Sequence, residues 1–309
     1  MAKPAVTRRI LESTSASGYW RPMRPELDFT FHAGGTADLV ELDQDHPGFR
    51  DEVYRSRRNV IARIALDYPT GTRVPDAPST AEEHAVWREV WAALEPVHQE
   101  RVCSEILELQ QVMPLQRDEI PQLGALNPQL YASGGFRMEP VAGLVSARTF
   151  VRYLGRRVFL STQYIRHHSR PFYTPEPDIL HELVGHAATL VHPGIAEVNR
   201  MLGEAADVAD EQEMLRIERM YWYTMEFGLV RQAGQIKAFG AGLLSSVGEL
   251  SDFDTHAELM DWDLRTIANT PYDPTQYQAK LFVAPSFTRM LVDVCGWVRS
   301  GAWRNRQAG

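Results

Sequence analysis

Residues Asp178-Ile179-Leu180-His181-Glu182-Leu183-Val184-Gly185-His186, with Glu226 forty residues further along, place two imidazoles and one carboxylate in the chain. That is the donor set of an open-faced mononuclear iron(II) site, with three octahedral positions left for oxygen, water or a cosubstrate. His181-Glu182 also begins the zinc-protease pattern, which needs its second His four places after the first, on one helical face. Gly185 stands there, so that pattern fails. A separation of five turns about 140° on an ideal α-helix, so both rings reach one ion only if His181 sits at a helix mouth or the turn is locally widened. Pro175 and Pro177 push their preceding residues out of the α region and Asp178 is a good N-cap, so a helix is expected to start just before His181. Glu226 lies among Trp222, Met225, Phe227 and Leu229. A carboxylate buried in such company needs a metal or a partner to offset its desolvation.

The elements that must position these groups are largely helical. A helix is expected from Asp51 through Ala65. Another opens at Thr80, where Thr80 and Glu83 form a capping box ahead of Trp87, Val90, Trp91 and Leu94 at helical spacing. Those tryptophans read as core. Pro96 is expected to break or kink that helix, with a third helix running from His98 to Met113. Arg157 to Ile165 is β-branched and aromatic enough for a short strand, and Gly234 to Gly242 suggests a hairpin or tight loop beside it. Glu211 to Leu229 is expected to be the long helix that carries Glu226. The fold class is mainly α with a small β component. Residues 1–40 read as an extended arm without periodicity, and 41–309 as a single catalytic domain.

Composition narrows the class further. A 309-residue chain with 44% hydrophobic residues can build one substantial core. A net charge of -8 without a basic run argues against nucleic acid or an anionic membrane as partner. The two cysteines, Cys103 and Cys295, are far apart and do not suggest a disulfide framework; a reducing cytoplasm is expected. There is no 18-residue apolar run, and Met1 to Arg9 lacks the hydrophobic core of a signal peptide.

Longer motifs point the same way. Asp45-His46-Pro47-Gly48-Phe49, Ile120-Pro121-Gln122-Leu123, Gly135-Phe136-Arg137, Pro140-Val141-Ala142-Gly143-Leu144, Thr162-Gln163-Tyr164-Ile165-Arg166-His167, the histidine motif and Ile236-Lys237-Ala238-Phe239-Gly240-Ala241-Gly242-Leu243-Leu244-Ser245-Ser246 occur in order along the chain. Together, over roughly residues 40 to 290, they resemble the pterin-dependent aromatic amino acid hydroxylases, and among them the enzymes acting on phenylalanine. The resemblance implies that family's catalytic-domain fold, with His181, His186 and Glu226 as iron(II) ligands and tetrahydropterin and O2 as cosubstrates. It also implies a small amino acid as the only partner. The animal relatives carry a regulatory domain and a tetramerisation helix that have no counterpart in these residues, so a monomer is expected.

By the same resemblance, Gly143, Leu144, Val145 and Ser146 belong to the pterin site, with Phe150 stacking on the pterin, Glu182 facing it and Tyr221 near both iron and pterin. Arg166 matches the amino acid carboxylate clamp, since a guanidinium fork suits a bidentate carboxylate, and Asp178 orients it. Thr174, Gly242 and Ser245 match further substrate contacts, while Pro177 and Trp222 match the walls of the ring pocket. Ser245 can instead, or also, support a ligand histidine, with Glu249 extending that network. The bulk of Trp222 favours phenylalanine over tryptophan. Pro274 stands where tyrosine-using relatives place an acid, although Asp273 is adjacent. Leu160 and Ala147 replace a His and a Ser of the animal phenylalanine enzymes, so both the ring position attacked and the pterin contacts stay open. The alternatives are meta-hydroxylation, tryptophan or tyrosine as substrate, and a zinc hydrolase or lyase using the same ligands.

Overall fold

The computed structural model describes residues 39–40 and 42–304; the expected arm over residues 1–40 lies outside them apart from Leu39 and Val40. The Leu39 N–H donates to Asn59 Oδ1 at 2.7 Å, and Leu39 and Val40 pack on Ala62 and Ala65. Helices supply most of the body. Asp51 caps Glu52–Leu66 by accepting from Tyr54 N, and the Thr80/Glu83 capping box opens Ala81–Arg101 as expected. Trp87, Val90, Trp91 and Leu94 are all almost fully buried, one apolar stripe of that helix facing the core.

Two small sheets lie among the helices. In the first, β1 (Arg137–Pro140) and β2 (Val158–Ser161) run parallel, joined through the helix Ala147–Gly155. The second has the order β4-β3-β6-β5, with β3 (Leu229–Gln232) and β4 (Gln235–Ala238) forming an antiparallel hairpin. Strands β5 (Glu258–Asp261) and β6 (Lys280–Ala284) are parallel to each other, and β6 is parallel to β3. Ala233 and Gly234 turn the hairpin with φ of 50° and 79°, the left-handed pair that a tight two-residue connection requires. The hairpin expected in that region therefore exists, but it belongs to the four-stranded sheet and does not sit beside β2.

Several expected boundaries move. Pro96 does not break its helix, which continues to Arg101; the next helix is Ser104–Val112. The break falls at Val102 and Cys103, because Val102 bridges to Ala238 and Cys103 N donates to Ala238 O at 3.0 Å. That pairing lies across the fold and leaves no local mark. Only Val158–Ser161 of the expected strand is paired. The helix expected to run from Glu211 to Leu229 ends at Glu226, and Leu229 already belongs to β3. Among the described residues no helix is long and apolar enough to cross a membrane, and both cysteines are free and buried.

Candidate metal centre and its surroundings

The first histidine stands on a helix that begins at Ile179 and becomes a π-helix from His181 to Ala187. Asp178 caps it, with Oδ1 accepting from His181 N at 3.2 Å. Both expected routes to convergence are thus taken: His181 sits in the first turn, and the widened turn brings a residue five places on to the same side. Gly185 lies between them for a steric reason. A Cβ there would stand 2.8 Å from Ala241, in the short helix Ala241–Leu244 packed against the π-turn. Glu226 closes a second π-turn, Trp222–Glu226, in which Phe227 N donates to Trp222 O at 2.8 Å.

These elements bring His181, His186 and Glu226 together. His186 Nε2 is 3.0 Å from Glu226 Oε1, His181 Nε2 is 3.6 Å from Glu226 Oε2, and the two Nε2 atoms are 3.1 Å apart. The tautomer of His181 follows from its neighbour. Ser245 Oγ has one proton, which it donates to Ala241 O at 2.9 Å, so it accepts from His181 Nδ1 at 2.8 Å. Burial pushes the His181 ring down to about 4, so the ring is neutral and its Nε2 lone pair faces a carboxylate. Two acceptors aimed at one point inside the protein need a proton donor or a cation between them, and two imidazoles with one carboxylate are a donor set that fits a divalent metal ion. Burial opposes the charge on Glu226, but His186 outweighs it and holds the carboxyl below the usual range.

The group beside these three candidate ligands is equally specific. Glu182 is buried, its Oε1 accepting from both N and Oγ1 of Thr162 at 3.2 Å, and burial pushes it up to about 8. Tyr221 packs edge-on against Phe150 with ring centroids 5.6 Å apart. Its buried hydroxyl lies close enough to Glu226 to help hold that carboxyl down, yet makes no hydrogen bond of normal geometry. Gly143 has open space where a Cβ would stand, Leu144 is exposed and Val145 half-buried. A half-buried Phe150 ring, an open glycine turn, a buried carboxyl and an orphaned hydroxyl fit a flat, polar-edged heterocycle. The Ser146 side chain is committed to the helix Ala147–Gly155, which its Oγ caps by accepting from Thr149 N, so Ser146 contributes to the turn through its backbone.

Arg166 and Asp178 form a buried two-pronged pair, Nε to Oδ2 and Nη2 to Oδ1, both at 2.8 Å, and Arg166 N also donates to Oδ2. This leaves Nη1, whose only hydrogen bond among the described residues is a long one of 3.4 Å to Pro171 O, for another carboxylate. Thr174 Oγ1 turns into its own loop and donates to Glu176 O at 2.6 Å. Pro177 O accepts from Tyr164 at 2.6 Å. Gly242 is held to its size by Phe227, whose ring a Cβ would meet at 2.6 Å. Of the two roles open to Ser245, the structure shows support of His181. Glu249 does not extend that network; its Oε1 accepts from Gln278 N at 2.8 Å.

Three contributors escaped sequence reasoning. Arg58, buried, donates to Glu176 Oε1 at 2.7 Å and lies 3.3 Å over the Tyr164 ring, bracing the loop from Thr174 to Asp178. His98 donates from Nε2 to Leu244 O at 2.7 Å, next to Ser245. Phe159 packs against the His186 ring at 4.7 Å between centroids. None stands in a pattern of its own, although Glu176 between two prolines was a visible charge. In a second group of possible ligands, Asp51, His167 and His168, hydrogen bonding accounts for the first two, and His168 lies 3.6 Å from Glu82. Ser169 N donates to His167 Nδ1, so Nε2 carries the proton and donates to Asp51 Oδ2 at 3.2 Å.

Glu249 predicts a pH effect on stability. Burial pushes its carboxyl up to about 7 from the ordinary 4.5, against the pull of the Gln278 N–H. Between those values the folded chain holds a proton that the unfolded chain has released, so its contribution is complete below pH 4.5 and is lost as pH rises through 7. Glu249→Gln removes this dependence. Its stability relative to the parent should rise from near zero at pH 5 by on the order of 3 kcal/mol at pH 8, measured by urea unfolding. A difference that stays flat with pH would show that Glu249 is not held protonated.

Comparison with known proteins bears on these sites. The family model for biopterin-dependent aromatic amino acid hydroxylases matches residues 19–302. Tyrosine 3-monooxygenase from the dog, Canis lupus familiaris, is 42% identical over 291 residues, covering 91% of this chain and 59% of the relative. Phenylalanine-4-hydroxylase from Caenorhabditis elegans is 42% identical over 263 residues, 84% of this chain and 58% of the relative. The chain thus spans less than two thirds of the length of these relatives. A crystal structure of Chromobacterium violaceum phenylalanine hydroxylase with bound iron(III) and 7,8-dihydrobiopterin superimposes with a TM-score of 0.68 at 26% identity, covering 78% of this chain and 91% of that one.

Proposed function

Because the chain belongs to the biopterin-dependent aromatic amino acid hydroxylases, we propose that it is an iron(II)- and tetrahydropterin-dependent monooxygenase acting on the ring of L-phenylalanine, with tyrosine as product. Residues 41–309 serve as one catalytic domain. The observation that carries the proposal is the convergence of the neutral His181 Nε2, His186 Nε2 and the Glu226 carboxylate on one point.

His181, His186 and Glu226 would hold the iron, and Phe150, Glu182, Tyr221 and the Gly143-Leu144-Val145-Ser146 turn the pterin. Bound together, these groups supply the activation of O2 that no side chain can perform. The protein's own residues do the rest. Ser245 keeps the His181 proton on Nδ1, so that Nε2 is free to bind. Arg166, aligned by Asp178, takes the substrate carboxylate. Pro177 and Trp222 limit the space for the ring and keep water from it.

Relatives at the same 42% identity include enzymes named for tyrosine and for phenylalanine, so the choice of substrate rests on this chain's residues. Pro274 offers no charge to a phenolic hydroxyl. The neighbouring Asp273 is turned into its own loop, its Oδ1 accepting from Thr275 N at 2.9 Å and from Thr275 Oγ1 at 2.6 Å. Both features favour phenylalanine. A second reading, delivery of oxygen to the meta carbon, is favoured by Leu160, which is buried with Val141, Tyr153 and Val158 against Phe150. The ring proposed to stack on the pterin is thereby set on that side by apolar contacts alone.

The test is to incubate iron-loaded enzyme with tetrahydropterin, O2 and each of L-phenylalanine, L-tyrosine and L-tryptophan, separating products against ortho-, meta- and para-tyrosine, dihydroxyphenylalanine and 5-hydroxytryptophan. Phenylalanine should be preferred by about tenfold or more, the scale on which an apolar pocket discriminates. Dominant hydroxytryptophan or dihydroxyphenylalanine would overturn the substrate. A meta-tyrosine peak would establish the second reading, and no product from any of the three would reject the activity.

A further inference from the structure

The segment from Pro271 to Lys280 is exposed or half-exposed at every residue except one. Gln278 is 4% exposed, and every polar atom of its side chain is used. Its Oε1 accepts from Trp222 Nε1 at 2.8 Å, and its Nε2 donates to Asp273 O and to Gln276 O, both at 2.9 Å. The orientation of the amide is unambiguous, because an indole N–H can only donate and a carbonyl can only accept. Its backbone N–H is taken by Glu249 Oε1 at 2.8 Å. One side chain therefore ties a surface loop into a closed turn and fastens that turn to an indole.

The indole is a wall of the proposed ring pocket, and the loop packs on it from outside. Trp222 and Tyr272 are stacked with centroids 4.1 Å apart and planes 13° apart, and Phe227 lies 4.8 Å away on a tilted contact. A ring held only by stacking can slide and turn within its plane. A hydrogen bond from its Nε1 to a buried amide removes that freedom, and leaving the buried amide unsatisfied is costly. The same amide positions Asp273 and Pro274, the loop residues on which the discrimination against a phenolic substrate rests.

We propose that Gln278 is a specificity-determining positioning residue: by holding the Trp222 indole and the Asp273–Gln276 turn in one register, it sets the width of the aromatic-ring pocket. The proposal rests on the function given above and adds to it a residue that need not touch the substrate. Removing the Gln278 amide should loosen the wall, weaken phenylalanine binding and admit larger rings, while leaving the metal ligands in place.

The experiment uses Gln278→Met, an unbranched apolar side chain of similar length, with Trp222→Phe and the double variant completing a cycle. The full-length iron-loaded proteins are compared by iron content, by calorimetric Kd for L-phenylalanine and L-tryptophan, and by kcat and KM for both. The expected result is unchanged iron content and an approximately tenfold rise in Kd and KM for phenylalanine. The phenylalanine-to-tryptophan ratio of kcat/KM should fall at least about fivefold, in keeping with loss of pocket definition. In the Trp222→Phe background, which has no indole N–H, Gln278→Met should add little to the change in that ratio. An unchanged ratio in Gln278→Met, or an equal further drop in the double variant, would overturn the proposal. If Gln278→Met does not fold, Gln278→Glu serves in its place. It keeps an acceptor for Trp222 but cannot donate to Asp273 O and Gln276 O, so it too should lower the ratio, and an unaltered ratio would again decide against Gln278. A parent enzyme that hydroxylates none of the amino acids rejects the underlying function and this proposal with it. A parent that turns over phenylalanine while the variants keep its selectivity rejects the role of Gln278 alone.

Discussion

His186→Ala is expected to purify with almost no iron and to lose hydroxylation by about a thousandfold or more. Removing a partner of a metal ligand commonly costs about 10- to 100-fold in affinity or activity, and loss of a ligand itself should exceed that. Here the consequence is sharpened by burial. His186 and Glu226 are both almost enclosed, and Glu226 without His186 keeps only a neutral His181 at 3.6 Å and the Tyr221 hydroxyl among its described neighbours. Ser245→Ala supplies the graded comparison. It leaves all three ligands but releases His181 Nδ1, so the imidazole can take the tautomer whose Nε2 carries a proton and cannot bind metal. Its iron affinity should fall by about 10- to 100-fold, short of the loss in His186→Ala. Iron measured by elemental analysis after dialysis against a chelator, alongside oxygen uptake, separates the three proteins. Retention of full iron and activity in His186→Ala would remove this site from the chemistry.

The second large effect is expected at Arg166. Arg166→Lys keeps a positive charge but replaces a planar fork by a point donor, so Asp178 and the substrate carboxylate can no longer be engaged from separate edges. The KM for L-phenylalanine should rise by about 100-fold, corresponding to roughly 2 to 3 kcal/mol for a charge-assisted bond lost in a dry site. The KM for tetrahydropterin should change by less than about threefold, since Phe150, Glu182 and Tyr221 are untouched. Phenethylamine, which lacks the carboxylate, provides the control: its weak binding should be nearly the same in both proteins. An equal loss for that amine would mean that Arg166 shapes the pocket and does not clamp the carboxylate. Arg166→Leu is a poorer probe. It would leave Asp178, which is fully buried, without its cation and destabilise the fold by about 3 to 5 kcal/mol.

Features decided within a few residues are legible in the amino-acid sequence alone. Asp51, Thr80 and Asp178 cap their helices because a short polar side chain satisfies an amide two or three places on. The burial of Trp87 and Trp91 follows from helical spacing, and the choice of His181, His186 and Glu226 as candidate ligands from their chemistry. Even the geometric difficulty of His181 and His186 is visible there, since a five-residue spacing does not suit an α-helix. How that difficulty is met belongs to the tertiary structure. The π-turn persists because Gly185 admits the backbone of Ala241 from a segment more than fifty residues away, and that contact has no local signature.

The same division explains each displaced boundary. Pro96 can take away only its own hydrogen bond, whereas the pairing of Val102 and Cys103 with Ala238 offers the chain new partners and ends the helix there. Ser245 matched two roles in sequence; its hydrogen bond with the His181 ring shows one of them. Gln278 is an ordinary polar residue in an ordinary loop until Trp222, Glu249, Asp273 and Gln276 surround it. By itself the sequence determined which atoms could bind a metal and, where a cap or an apolar stripe marks them, which helices would form and which faces they would bury, because caps, periodicity and donor type act over one or two turns. Only the tertiary structure decided which tautomer, which turn width and which loop register those atoms would have. Those choices depend on single hydrogen bonds and van der Waals contacts between residues tens of positions apart, where leaving a buried polar group unpaired costs more than any local propensity can offset.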